Sequence, residues 1–135
     1  MMEAIYSKSD AGVLLHIVHR LADARGRTNI VPNEEFLQVA CMRMGKGQTF
    51  KAHRHIEADR VTRIPQESWL VVKGSVQCFL YDLDNTVIAK PVLGPGDCSI
   101  TLRGGHNYLI LEEDTIVYEY KTGPYLGIEL DKTFI

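Results

Sequence analysis

Two histidines one residue apart, His53 and His55, are the first side chains in this sequence that could do chemistry together. If residues 49–55 form a strand, side chains two apart project from the same face, about 7 Å apart along it. From there both imidazoles could converge on one metal ion, although taken alone the spacing is explained more readily by two half-exposed strand histidines. Glu119 stands inside the apolar run Ile-Val-Tyr-Glu-Tyr, where a carboxylate either faces solvent or points inward as an acid or base. Arg60 and Arg63, with Arg54 close by, lie between His55 and Glu67. Their planar guanidinium groups would suit a carboxylate or phosphate, or else pair with the neighbouring Glu57 and Asp59. Trp69 shares strand parity with Glu67, and Tyr108 with His106, so these aromatics either line a pocket beside those groups or fill the core. His16 and His19 lie far from the rest in sequence and are expected at the surface.

The elements that must position these residues are mostly β. Short apolar runs recur at 36–44, 49–55, 68–73, 76–83, 86–93, 98–102, 107–111 and 116–120, separated by Gly-, Pro- and Asn-rich punctuation. Many short strands at such spacing indicate a sandwich or barrel. Asp84-Asn85, between two of the runs, reads as a hairpin turn. Residues 11–24 are expected as a helix capped by Asp10, with Val13, Leu14, Ile17, Val18 and Leu21 on one face. The alternative there is a strand, because the run 13–18 is short and rich in branched side chains. Residues 28–35 read as a connector, and the apolar Leu130, Phe134 and Ile135 predict an ordered C-terminal strap after a Gly-Pro turn.

Gly47 stands six residues before His53, giving G-x5-H-x-H, and Glu67 stands seven before Gly74, giving E-x6-G. Gly96 and then Gly104-Gly105-His106 follow. This arrangement resembles the cupin superfamily, whose motifs run approximately G-x5-H-x-H-x3,4-E-x6-G and G-x5-P-x-G-x2-H-x3-N. The resemblance implies an all-β fold, a small antiparallel jelly-roll barrel over residues 36–135, with residues 1–35 as a short helical or extended N-terminal appendage. It also implies a metal near the barrel mouth, with His53, His55, Glu67 and His106 in the ligand positions. Three imidazoles and one carboxylate suit a divalent Fe, Mn, Ni, Cu or Zn ion rather than Ca or Mg, and leave positions for water or substrate. The chain departs from the pattern in four places: residues 56–66 lengthen the spacer, Leu102 replaces the proline, His106 falls one residue early, and Ile110 replaces the closing Asn. The long spacer leaves Glu57 as a rival carboxylate. Glu67 is preferred, since its spacing to Gly74 fits and it opens the next apolar run. The runs Gly-Gly-His-Asn-Tyr-Leu-Ile-Leu and Tyr-Glu-Tyr-Lys-Thr-Gly-Pro-Tyr are similar to small bacterial single-domain cupins, some associated with nucleotide-sugar and polysaccharide genes.

Composition bounds the partners. The chain has 135 residues and a formal net charge of −2, which argues against nucleic-acid binding by counterion release. No apolar run approaches the roughly 20 residues of a membrane span, and the start lacks a basic-then-apolar secretory pattern, so a cytoplasmic protein is expected. Cys41, Cys78 and Cys98 form no CxxC pair and read as reduced core residues. A homodimer built on exposed edge strands is expected. The resulting functional expectation is a metal-binding cupin acting on a small polar substrate, carbohydrate-like or anionic, by isomerisation or epimerisation. His53, His55, Glu67 and His106 would hold the metal, Glu119 or Tyr108 would serve as acid or base, and Trp69, Arg60 and Arg63 would line the substrate pocket. An Fe-dependent dioxygenase and a non-catalytic small-molecule binder are the alternatives, since one fold hosts many chemistries.

Overall fold

The structure is a computed structural model and describes residues 2–135. Its strands are β1 (Glu3–Tyr6), β2 (Leu14–His19), β3 (Arg27–Asn29), β4 (Ala40–Met42), β5 (Glu67–Lys73), β6 (Val76–Tyr81), β7 (Val87–Ala89), β8 (Val92–Leu93), β9 (Cys98–Thr101), β10 (His106–Ile110) and β11 (Ile116–Lys121). One short helix, α1 (Ile128–Asp131), follows. All pairings are antiparallel. The order β1-β2-β9-β5-β11 makes a five-stranded sheet, β10-β6-β7 with β8 beside β6 makes a second, and β3-β4 form a ribbon. The all-β expectation holds. Among the described residues, no ladder joins the two larger sheets into a closed barrel. No helix among them is long and apolar enough to cross a membrane.

Strand alternation sends the five-stranded sheet into two apolar clusters, one on each face. Val18 and Val71 meet Val76, Cys78, Leu80 and Leu93 of the second sheet. Ile17, Ile100 and Cys98 pack on the other side with Leu102, Ile30 and Val31. This double burial explains why residues 11–24 are not helical. The run Leu-Leu-His-Ile-Val-His is buried almost throughout and pairs with β1 on one side and β9 on the other. A helix would leave a polar stripe, whereas a central strand accepts apolar side chains on both faces. Asp10 accordingly caps no helix, and its N–H donates to Ser7 Oγ in the β1–β2 connection. The described part of the segment expected as an appendage, residues 2–35, thus supplies a central core strand, β2.

Other boundaries moved as well. The run 36–44 shrinks to β4, and residues 49–55 form no strand. Residues 43–65 are exposed throughout, with Ile56 89% and Val61 91% exposed. The few apolar side chains there are scattered among arginines and lysines, too sparse to offset the entropy of ordering a strand. The hairpin at Asp84-Asn85 is present, with Asn85 in the left-handed region at φ 67°.

Asp82, at the end of β6, ties the N-terminal connection to the second sheet. Its carboxylate accepts from Ser7 Oγ (2.5 Å), Lys8 N (2.7 Å), Ser9 N (3.2 Å), Ser9 Oγ (3.1 Å) and Leu83 N (2.7 Å). Desolvation opposes the charge on Asp82, but these donors outweigh it and hold the carboxyl well below the usual range. Without this acceptor the buried Ser7 hydroxyl and three part-buried amides lose their carboxylate partner. Asp82→Ala is therefore expected to lower the melting temperature more than Asp84→Ala, and to remove hydrogen-exchange protection from the Lys8 and Ser9 amides. Equal losses in the two variants would contradict this clamp.

Candidate functional site

Between the two larger sheets the interior changes character along the strands. At one end lies the apolar cluster around Val71 and Cys78; at the other, a cavity of about 770 Å³ opens to solvent. Trp69 from β5 and Tyr108 from β10 stand at the boundary, stacked with ring centroids 3.8 Å apart and planes at 9°. Trp69 Nε1 donates to Glu119 Oε1 (3.1 Å), and the Tyr108 hydroxyl bonds Ser99 Oγ (3.1 Å). Burial pushes the Tyr108 phenol above its ordinary range, so this ring serves as wall rather than as a ready proton donor.

Antiparallel register assembles the polar end. Glu67 and Trp69 share a face of β5, while Lys121 and Glu119 of β11 sit opposite them. Thr101 pairs with Glu67 from the other side, and His16 of β2 pairs with Thr101. From the second sheet His106 reaches across: its Nε2 lies 3.4 Å from Glu67 Oε1 and its Nδ1 3.0 Å from Thr101 Oγ1. Lys121 Nζ is 3.7 Å from Glu119 Oε2 and 4.2 Å from the Tyr125 ring centre. Burial works against ionising Glu67, but hydrogen bonds with His106 and Glu119 and the charges of His106 and Lys121 prevail, holding it down to about 2.

The structure brings together five groups singled out from the sequence, Glu67, Trp69, His106, Tyr108 and Glu119. It does not bring in His53 and His55. Those rings lie edge to face, 5.4 Å apart, on the exposed segment 43–65, and His53 Nδ1 bonds its neighbour Lys51 O. Glu57 is on the same exposed segment. Among the described residues no group of three or more His, Cys, Asp or Glu gathers as a metal would require. With His53 and His55 on the exposed segment, the expected four-ligand centre is not assembled in this arrangement. Arg60 is exposed outside the cavity, and Arg63 borders only a shallow depression of about 140 Å³ with Pro65 and Pro124.

Thr101, Arg103 and Lys121 of the cavity wall, and His16 behind it, escaped the sequence reading. Arg103 lines the cavity instead of the expected arginines, its Nη1 2.7 Å from Glu35 Oε1. Its position immediately before Gly104-Gly105-His106 was the available signal. His16, expected at the surface, is fully buried, as is nearly all of His19. The signal lay in their setting, two histidines inside an apolar run that reads equally well as a strand. The C-terminal strap also reaches the site, with Lys132, Phe134 and Ile135 at the cavity mouth. No protein family, no curated protein and no solved structure matches this chain.

Burial pushes the His16 imidazole down from 6.5 to about 4, helped by the charge of His106 and opposed by the bond to Tyr81 and the charge of Asp82. Between those values the unfolded ring takes up a proton that the folded ring refuses. Stability contributed by this residue is therefore complete above 6.5 and falls as pH drops toward 4. The loss across that window should be roughly 3 kcal/mol. Urea unfolding measured at steps through the window should show this slope, and His16→Gln should flatten it. An unchanged slope in the variant would assign the pH dependence elsewhere.

Proposed function

We propose that this chain is a cupin-like jelly roll whose inter-sheet cavity binds a small polar molecule, carbohydrate-like or anionic, and moves a proton on it. The observation that carries the reading is the His106–Glu67 pair at 3.4 Å on the cavity wall. The support for the fold is two antiparallel sheets facing each other around a core, together with the glycine- and histidine-containing motifs in the sequence. The support for a polar ligand is a wall that combines Glu67, Glu119, Lys121 and Arg103 with the Trp69 and Tyr108 rings.

In this reading the long His106–Glu67 contact yields to a substrate oxygen, because 3.4 Å is looser than a charge-assisted bond at its optimum. In its imidazolium form His106 is then the acid, passing the Nε2 proton to a carbonyl oxygen and keeping the one on Nδ1. Glu119 or Glu67 takes the proton from the adjacent carbon, and the Lys121 ammonium offsets the negative charge that develops on the oxygen. Return of the proton to a neighbouring atom, or to the other face, completes an isomerisation or epimerisation. The reading also pairs two chains through an exposed sheet edge. Outward-facing Tyr118 and Tyr120 on β11, 59% and 56% exposed, are the side chains such a contact would cover.

Thermal-shift screening with nucleotide sugars, sugar phosphates and small keto acids should identify binders. Incubating each binder with the protein in D2O should then incorporate deuterium at a carbon beside the carbonyl. His106→Ala and Glu67→Gln should slow that exchange by roughly 100-fold or more, whereas His53→Ala should leave it unchanged. Binding without exchange would replace this reading with a non-catalytic binding module. Exchange abolished by chelators and by His53→Ala would replace it with the four-ligand metal centre, and iron-dependent oxygen consumption would make that centre a dioxygenase.

A further inference from the structure

Behind His106 lies a second histidine that no functional role in the cavity uses. His16 is fully buried, its Nε2 is 2.9 Å from the Tyr81 carbonyl oxygen, and its Nδ1 is 3.0 Å from Thr101 Oγ1. The same threonine oxygen is 3.0 Å from His106 Nδ1. Three polar groups thus run in line from the Tyr81 carbonyl to the cavity: His16, Thr101 and His106.

The donor and acceptor roles along this line follow from the end that cannot vary. A carbonyl oxygen only accepts, so His16 Nε2 must carry a hydrogen. A neutral imidazole has one N–H, so His16 Nδ1 is bare and accepts. Burial keeps this ring neutral near physiological pH, since its pKa is pushed down to about 4. The hydroxyl has a single hydrogen, which it must therefore donate to His16 Nδ1. That leaves Thr101 Oγ1 only lone pairs toward His106, so His106 Nδ1 is the donor. We infer that His16 and Thr101 act as positioning residues that hold the proton of His106 on Nδ1, so that Nε2, facing Glu67 and the cavity, is the only ring nitrogen that can exchange a proton with a ligand.

This deepens the proton-transfer reading of the cavity and rests on it for its functional meaning, but the tautomer itself is set by the fold and can be read without any substrate. Gly104 is part of the device. It sits at φ +80°, and a Cβ there would fall 2.4 Å from the Tyr81 carbonyl oxygen and 3.3 Å from His16 Nε2. Only glycine lets the β9–β10 connection pass this close to the anchoring carbonyl.

The test is a long-range 1H–15N correlation spectrum of the histidine rings in the full-length, 15N-labelled protein with His106 in its neutral form. The wild type should show His16 protonated on Nε2 and His106 protonated on Nδ1, with His106 Nε2 in the bare-nitrogen range. Thr101→Val should lose the His106 Nδ1–H assignment, and Thr101→Ser should restore it. His16→Gln should retain it, because the amide donates to Tyr81 and its oxygen accepts from Thr101. Neutral His106 protonated on Nε2 in the wild type would overturn the inference, as would a Thr101→Val spectrum unchanged at His106. If Thr101→Val fails to fold, the wild-type and His16→Gln spectra decide alone. Failure of the proton-transfer reading is a separate result: correct tautomers with no deuterium exchange into any ligand.

Discussion

Everything at the cavity depends on side chains that cross a gap no backbone ladder bridges. The five-stranded and four-stranded sheets share no backbone pairing, so no ladder sets their separation at this end. Packing of Val71 against the Cys78 side, and the Trp69–Tyr108 stack, do so instead. Such a stack contributes about 1 kcal/mol beyond its buried area, but its geometric effect is larger. It fixes β10 against β5, and hence places His106 within reach of Glu67 on the strand opposite.

The stack also separates two solvents. Below it the interior is apolar, and Cys78 has its thiol pushed up to about 11 by burial. Above it water has access, and charged groups are tolerated because each has a partner. Glu67 faces His106, Glu119 faces Lys121 and the Trp69 N–H, and Arg103 faces Glu35. Half-buried pairs of this kind add little stability, since desolvation offsets attraction. Their consequence is a wall of fixed charges and donors, which is what recognition of a polar molecule requires.

Strand periodicity made most of this architecture legible. The runs that became β5, β6, β9, β10 and β11 are short apolar stretches set off by turn residues, β6 alternating cleanly in burial, and parity alone placed Trp69 with Glu67 and Tyr108 with His106. Legibility failed where a segment's fate is decided by what lies beside it. Residues 14–19 show apolar spacing that suits a helix face and a buried strand alike, and only pairing with both β1 and β9 decides the outcome. Residues 49–55 failed in the opposite way: the His-x-His spacing is strand-like, but no neighbouring strand is there to pair with it. Arg103 and His16 were missed for a related reason, since what each touches, Glu35 and Thr101, is distant in sequence and no local pattern encodes the meeting.

The glycine pair before His106 links connectivity to chemistry. Thr101 ends β9 in one sheet and His106 begins β10 in the other, five positions apart, and their side chains meet at 3.0 Å. A connection that short can turn between two sheets only by pressing its backbone against what lies underneath. Here that is the Tyr81 carbonyl, and Tyr81 N–H in turn donates to Gly105 O at 2.8 Å. A side chain at 104 would lift the loop from Tyr81 and draw His106 away from Thr101, breaking the hydrogen-bonded line at its most exposed member. The Gly-Gly-His sequence is thus a backbone requirement before it is a ligand motif. The turn that lets the chain change sheets is the one that sets which nitrogen of His106 faces the cavity to exchange a proton.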